Sequence, residues 1–181
     1  ISDDDLGIKY EDGLKRENVE FFYTKKKEKL PTGTCLILIT PDSERTMVTF
    51  LGTAGKVSED DIDTDAIKKS ELLFLEGYLW DEGPPRRAFE KAISQCNKVA
   101  MSLSDLFCVE RHKNHFLKLI KSNLDITFAN EQEIMALSNT KRIEDVIEFA
   151  KNIKRKRIWK NVMGFPCLYG LTFQSVKNIF K

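Results

Sequence analysis

The chain has 181 residues, 41% of them apolar and 31% charged, a balance that supports a packed core and excludes a disordered chain. No uninterrupted apolar run of about 18 residues occurs, so no membrane-spanning helix is expected. The net charge of +1 joins two unlike parts: residues 151–181 carry eight Lys or Arg and no acid, which leaves 21 cations against 28 acids in residues 1–150. That larger part has a net charge of −7, which excludes nucleic-acid binding by bulk electrostatics.

The acidic start, Ile1-Ser2-Asp3-Asp4-Asp5, lacks the order of a secretory signal and is expected to be the interior of a longer chain. Leu6, Tyr10 and Leu14 then recur every fourth residue, one stripe of a short helix. The run Lys25-Lys26-Lys27-Glu28-Lys29 reads as an exposed turn. Two β-rich stretches, 34–40 and 46–51, flank the turn chemistry of Pro41-Asp42-Ser43-Glu44 and predict a hairpin with one apolar and one wet face. Ser58 before Glu59-Asp60-Asp61 has the form of a helix N-cap.

From there strands and helices alternate. Strands are expected over 72–76, 99–103 and 125–129. Helices are expected near 86–97, opened by Pro84-Pro85 with Ala88, Phe89, Ala92 and Ile93 inward, near 109–121 and near 143–154. A short helix holds Ile134, Met135 and Leu137. This alternation predicts an α/β fold with a mainly parallel sheet. Ligands of such sheets sit beyond the carboxyl ends of the strands.

Several sites are excluded first. Gly52-Thr53-Ala54-Gly55-Lys56 is no phosphate loop, because only two residues separate its glycines and Val57 follows the lysine. His112 and His115 beside Cys108 lack a third ligand at a metal-binding spacing. Cys35, Cys96, Cys108 and Cys167 include no Cys-x-x-Cys pair, which argues against zinc and for a reducing, cytoplasmic setting.

The strand ends carry the candidates. Glu76 is suited to accept hydrogen bonds from sugar hydroxyls, and Phe107 to stack on a base or sugar face. Asn130 and Glu133, one helical turn apart, are suited to a Mg²⁺-bound phosphate or its waters. Each also has a plain structural role open to it: solvated strand end, core aromatic and helix cap.

The run Asp125-Ile126-Thr127-Phe128-Ala129-Asn130-Glu131-Gln132-Glu133 resembles a signature of the ribokinase-like (PfkB) carbohydrate kinases. Pro31-Thr32-Gly33-Thr34-Cys35 with Glu44-Arg45-Thr46, then Leu75-Glu76-Gly77-Tyr78, then Ser102 to Phe107, resemble the adenosine-kinase-like branch in the same order. The resemblance covers residues 1–155. It implies a three-layer α/β/α core, incomplete here, with a small β lid, transferring the γ-phosphoryl group of ATP with Mg²⁺ to a sugar or nucleoside hydroxyl. By position it implies substrate contacts for Glu76 and Phe107, a lid and phosphate contact for Arg45, and Mg²⁺ and phosphate association for Asn130 and Glu133.

The sequence also departs from the family. No Gly-x-Gly-Asp motif, which supplies the family's catalytic Asp and anion hole, occurs in the 181 residues, and the last Asp is Asp145. Residues 156–181 do not resemble the family and are expected to form a divergent basic tail with few contacts to the domain, left by a truncated or shifted reading frame or by a true extension. The expected activity is therefore that of an inactive kinase fragment. The alternatives are a non-catalytic nucleoside- or sugar-binding module and, least, a nucleic-acid contact by the tail. No membrane partner is expected, and the lid offers an edge for self-association.

Overall fold

The structure, a computed structural model, describes residues 1–23 and 29–153 together with the backbone of 157–160. In chain order its elements are α1 (Asp5–Arg16), β1 (Thr34–Ile39), β2 (Arg45–Phe50), α2 (Thr64–Lys69), β3 (Leu73–Glu76), α3 (Pro84–Gln95), β4 (Val99–Ser102), α4 (Leu106–Ser122), β5 (Ile126–Ala129), α5 (Glu131–Ser138), α6 (Ile143–Asn152) and β6 (Arg157–Lys160). They fall into two compact units, one of residues 1–70 and 81–95, the other of 71–80 and 96 onward. No helix among the described residues is long and apolar enough to cross a membrane.

In the first unit Asp4 caps α1 and ties it to the root of the hairpin. Its carboxylate accepts the Gly7 N–H at 2.8 Å, the Thr32 N–H at 2.8 Å and the Thr32 hydroxyl at 2.7 Å. These donors, the Thr32 N–H foremost, hold the Asp4 carboxyl below its ordinary range. Across the same root Gly52 adopts φ +54°, and a Cβ there would stand 2.2 Å from the Pro31 carbonyl oxygen, so only glycine fits. The 3-10 turn Glu59–Asp61 is capped by Ser58, whose N–H donates to Asp61 at 2.8 Å. Glu59 is tied to α3 by Arg87 at 2.8 Å and, through its backbone carbonyl, by Lys91 at 2.6 Å.

β1 and β2 pair antiparallel from Thr34↔Phe50 to Ile39↔Arg45, the predicted hairpin. The predicted contrast between its faces is not found: every residue of both strands is exposed. The reason lies in the sequence, where Leu36-Ile37-Leu38-Ile39 is a continuous apolar run. Side chains alternate faces along a strand, so such a run puts apolar groups on both.

The second unit holds a four-stranded, wholly parallel sheet in the order β3-β4-β5-β6. Its three leading strands fall where the sequence places them. β4 is central, with Val99, Ala100 and Met101 buried, as expected of a parallel strand closed on both faces. Helix α4 buries Cys108, Val109, His112, Phe116, Leu119 and Ile120 along one stripe. The backbone leaves helical values at His112 (φ −118°, ψ 18°). α5 packs against both α4 and α6.

β6 is the departure from expectation. Arg157–Lys160 pairs with β5 in register, from Ile126↔Arg157 to Ala129↔Lys160, where the sequence predicted a tail with few contacts. The basic composition misled, because it outweighed Ile158-Trp159, a pair that favours a strand. The remainder of that tail, 161–181, and most of the 25–29 basic run lie outside the described residues.

Candidate functional site

Three adjacent parallel strands of the second unit end side by side, Glu76 paired with Ser102 and Ser102 with Phe128. The turns beyond them carry polar and aromatic groups. After β3 comes Gly77, where a Cβ would lie 2.9 Å from the Leu103 carbonyl oxygen and 3.1 Å from the Phe116 ring. The absent side chain lets the two turns touch, and the Gly77 N–H donates to Ser104 Oγ at 2.7 Å. Tyr78 follows and donates its hydroxyl to the Ser104 carbonyl at 3.0 Å.

After β4 the buried Leu103 extends the ladder, its N–H donating to the Phe128 carbonyl at 2.9 Å. Ser104 then turns back at φ +73°. Asp105 caps α4 by accepting the Phe107 N–H at 3.1 Å, which explains why this helix starts earlier than its apolar periodicity predicts. Phe107, in the first turn, is 47% exposed, and Tyr78 is 39% exposed. Their ring centroids are 6.2 Å apart at 41°, and the Arg111 guanidinium lies 5.6 Å from the Phe107 centroid.

After β5, Asn130 and Glu133 form a reciprocal capping box. Glu133 N–H donates to Asn130 Oδ1 at 2.8 Å, while the Glu133 carboxylate accepts the Asn130 N–H at 3.0 Å and its side-chain amide at 2.6 Å. Glu133 is buried. Burial pushes its carboxyl above the ordinary range, Asp105 adds to the rise, and the Asn130 N–H opposes it. Burial likewise raises the Tyr78 phenol, with the charges of Asp105, Cys108, Glu76 and Glu133 acting in the same direction. One phenol thus feels the carboxylates of all three strand ends.

The structure therefore brings Glu76, Phe107, Asn130 and Glu133 to one end of one sheet. Arg45 belongs to the other unit, where it opens β2, is exposed and faces Ile39 across the hairpin. Tyr78, Ser104 and Asp105 stand in the same strand-end turns, and the sequence alone assigned them no role there. Asp105 was legible as a cap before an apolar helix, whereas nothing in a Leu-Ser-Asp sequence announces a positive φ.

As a test for Mg²⁺, no group of three or more His, Cys, Asp or Glu able to hold a metal occurs among the described residues. His112 is buried beside the Phe116 ring at 5.9 Å, while His115 is exposed. Both Glu133 oxygens already bind Asn130. The oxygen donors that remain at these strand ends, Glu76 and Asp105, are of the ligand type Mg²⁺ takes, an ion that also keeps several of its waters.

The family profile described as "pfkB family carbohydrate kinase" matches residues 1–163. Among solved structures, an adenosine kinase from Sinorhizobium meliloti is 31% identical with a TM-score of 0.83, matching 89% of this chain and 51% of its own. A Rhizobium etli protein described as a sugar kinase is 29% identical with a TM-score of 0.81, the match covering 88% of this chain and 50% of the other. An Escherichia coli protein described as a ribokinase II, solved with ATP and Mg²⁺, shares the fold at a TM-score of 0.72 and 16% identity, with 87% and 54% covered. The chain spans about half the length of these structures. No curated protein sequence matches it.

Proposed function

The chain belongs to the pfkB family of carbohydrate kinases, and on that premise we propose that residues 71–153 hold the acceptor and cation side of an ATP-dependent kinase site for a sugar or nucleoside hydroxyl. The observation that carries this reading is the convergence of Glu76, Phe107 and the Asn130–Glu133 box on three adjacent strand ends.

In this reading Phe107 offers its exposed ring to the acceptor, and Glu76 accepts hydrogen bonds from the acceptor's hydroxyls. Asn130 and Glu133 orient the waters of a Mg²⁺–phosphate group. Mg²⁺ supplies charge neutralisation for the transferred phosphoryl group when bound. A phosphate contact by Arg45 rests on the resemblance alone. The reducing cytoplasm is proposed from the cysteine spacing, and self-association through the hairpin from the exposed apolar β1 and β2.

We propose further that the 181-residue chain alone does not turn over. A sugar hydroxyl needs a positioned base as it attacks, and developing charge needs preorganised N–H donors. The family draws both from a Gly-x-Gly-Asp segment, which this sequence does not contain. Losing even one such donor costs a factor of about 10²–10³ in rate. The test is ADP release by the full chain with and without adenosine, alongside Glu133→Ala. The expected result is no acceptor-dependent ADP in either. Acceptor-dependent turnover lost in Glu133→Ala would show a complete site and overturn the inactivity. A chain that binds acceptor without turnover would behave as the binding module that the exposed Tyr78–Phe107 surface also supports.

A further inference from the structure

The buried stripe of α4 is built from Cys108, Val109, His112, Phe116, Leu119 and Ile120. At about 100° per residue, His112 falls inside that stripe, between Leu119 and Phe116 on the helical wheel. It is 7% exposed and brings two ring nitrogens into an otherwise apolar row. Buried nitrogens need hydrogen-bond partners. An unbroken helix offers few, because each carbonyl already accepts the N–H four residues on. The backbone leaves helical values at this same residue, with φ −118° and ψ 18°. Such breaks have identifiable causes: proline, glycine, a bulge, or a side chain inserted into the ladder. Between Leu106 and Ser122 there is neither proline nor glycine. An opening of the ladder at the histidine remains, and it releases backbone groups beside the imidazole.

The break divides α4 into two arms with different tasks. Residues 113–122 hold the core, with Phe116, Leu119 and Ile120 buried. Residues 106–111 start directly beyond β4, at the Asp105 cap. This arm carries Phe107 and Arg111, whose guanidinium lies 5.6 Å from the Phe107 ring centroid. The histidine at the junction also reaches the neighbouring strand end through a single ring. Its imidazole is 5.9 Å from the Phe116 ring at 52°. Phe116 in turn meets Trp80 at 6.4 Å and lies under Gly77, where a Cβ would come within 3.1 Å of its Cζ. Core packing alone does not call for histidine here. A leucine would continue both the apolar stripe and the helix.

We propose that His112 is a positioning residue of the strand-end site: it breaks α4 so that the arm 106–111 takes its own direction and sets Phe107 and Arg111 beyond β4, while Phe116 ties that setting to the Gly77 turn. A buried imidazole and an opened ladder both cost stability, and a leucine recovers it. Stability and site geometry therefore part at this position, as they do where a fold gives up stability to shape a site. The effect of His112 on a ligand rests on the proposed acceptor site, whereas its effect on the two arms does not.

The test uses the isotope-labelled full chain, unaltered and as His112→Leu, His112→Gln and His112→Asn. In the unaltered chain, residual dipolar couplings are expected to require two helical axes, one for 106–111 and one for 113–122. A fit to a single axis would overturn the proposal without recourse to any variant. His112→Leu is expected to keep or raise Tm and to shift the amides of 105–111 together with those of Gly77 and Tyr78. The amide of Gln or of Asn stands in for one ring nitrogen or the other, so one of these two variants is expected to restore the unaltered shifts. A fall in Tm with 105–111 unmoved, or two amide variants that do no better than leucine, would show a core histidine and nothing more. Adenosine is the probe of the site. Its binding is expected to weaken about two- to thirty-fold in His112→Leu, the range for residues that act through others, and to recover in the restoring variant. Equal affinity in His112→Leu would overturn the positioning role while leaving the acceptor reading in place. No adenosine binding by the unaltered chain would overturn the acceptor reading and the site role of His112 with it, and the dipolar couplings would still decide the two arms.

Discussion

β1 and β4 are both apolar strands, yet one is exposed along its whole length and the other is closed from solvent. Leu36, Ile37, Leu38 and Ile39 are exposed, while Val99, Ala100 and Met101 are buried. The difference lies in what surrounds each. β4 has a parallel partner on either side, in a unit whose helices α4 and α5 pack together. β1 has the single antiparallel partner β2. An apolar run therefore announces a strand, while its burial is set by partners distant in sequence.

The comparison breaks most readily in the core. Phe116 is fully buried, with its ring against Trp80 at 6.4 Å. Phe116→Ala is expected to cost about 3–5 kcal/mol in urea-induced unfolding of the second unit, whereas the exposed Leu38→Ala stays within about 0.5 kcal/mol. A large loss from Leu38→Ala would mean that the hairpin is covered in solution. Next in size is Gly77→Ala, whose added methyl meets backbone at 2.9 Å. It is expected to cost about 1–3 kcal/mol and to shift the resonances of Ser102 to Asp105.

The two carboxylates sharpen the comparison through opposite pH responses. The Asp4 carboxyl is lowered from its ordinary 3.8, so the stability it gives the first unit is present above that value and is lost as pH falls through its folded value. Glu133 is raised from 4.5, so its cost to the second unit is absent below 4.5 and grows as pH rises toward and through its folded value. Asp4→Asn should flatten the acid limb of hydrogen exchange in α1. Glu133→Gln should flatten the dependence of α5 above 4.5 while retaining the cap. The reverse pattern would show that the environments are misassigned. The smallest effect is expected at Arg87–Glu59, a 2.8 Å pair with both side chains about half exposed. Arg87→Ala should change thermal stability by less than about 1 kcal/mol, less still in high salt.

Much of this molecule was legible before its structure. The three strands that build the site were marked by short apolar runs, and the helices between them by apolar spacing. Asn130 three residues before Glu133 spelled out a cap as well as a ligand candidate, and the structure shows the cap at full strength. Other features were hidden for physical reasons. The φ of Ser104 is imposed by its surroundings, because serine has no preference for that region. β6 was masked by its cations, which drew the eye from the β-favouring Ile158-Trp159. The wet and dry faces expected of the hairpin presumed an alternation that Leu36-Ile37-Leu38-Ile39 does not have.

The central claim is that the strand-end cluster is an acceptor site, and its most direct test is a map of backbone amide shifts as adenosine is titrated into the labelled full chain. The account predicts saturable shifts confined to Glu76–Leu79, Ser102–Phe107 and Asn130–Glu133, lost in Phe107→Ala. Shifts centred elsewhere, or a titration that leaves these three strand ends unmoved, would contradict it.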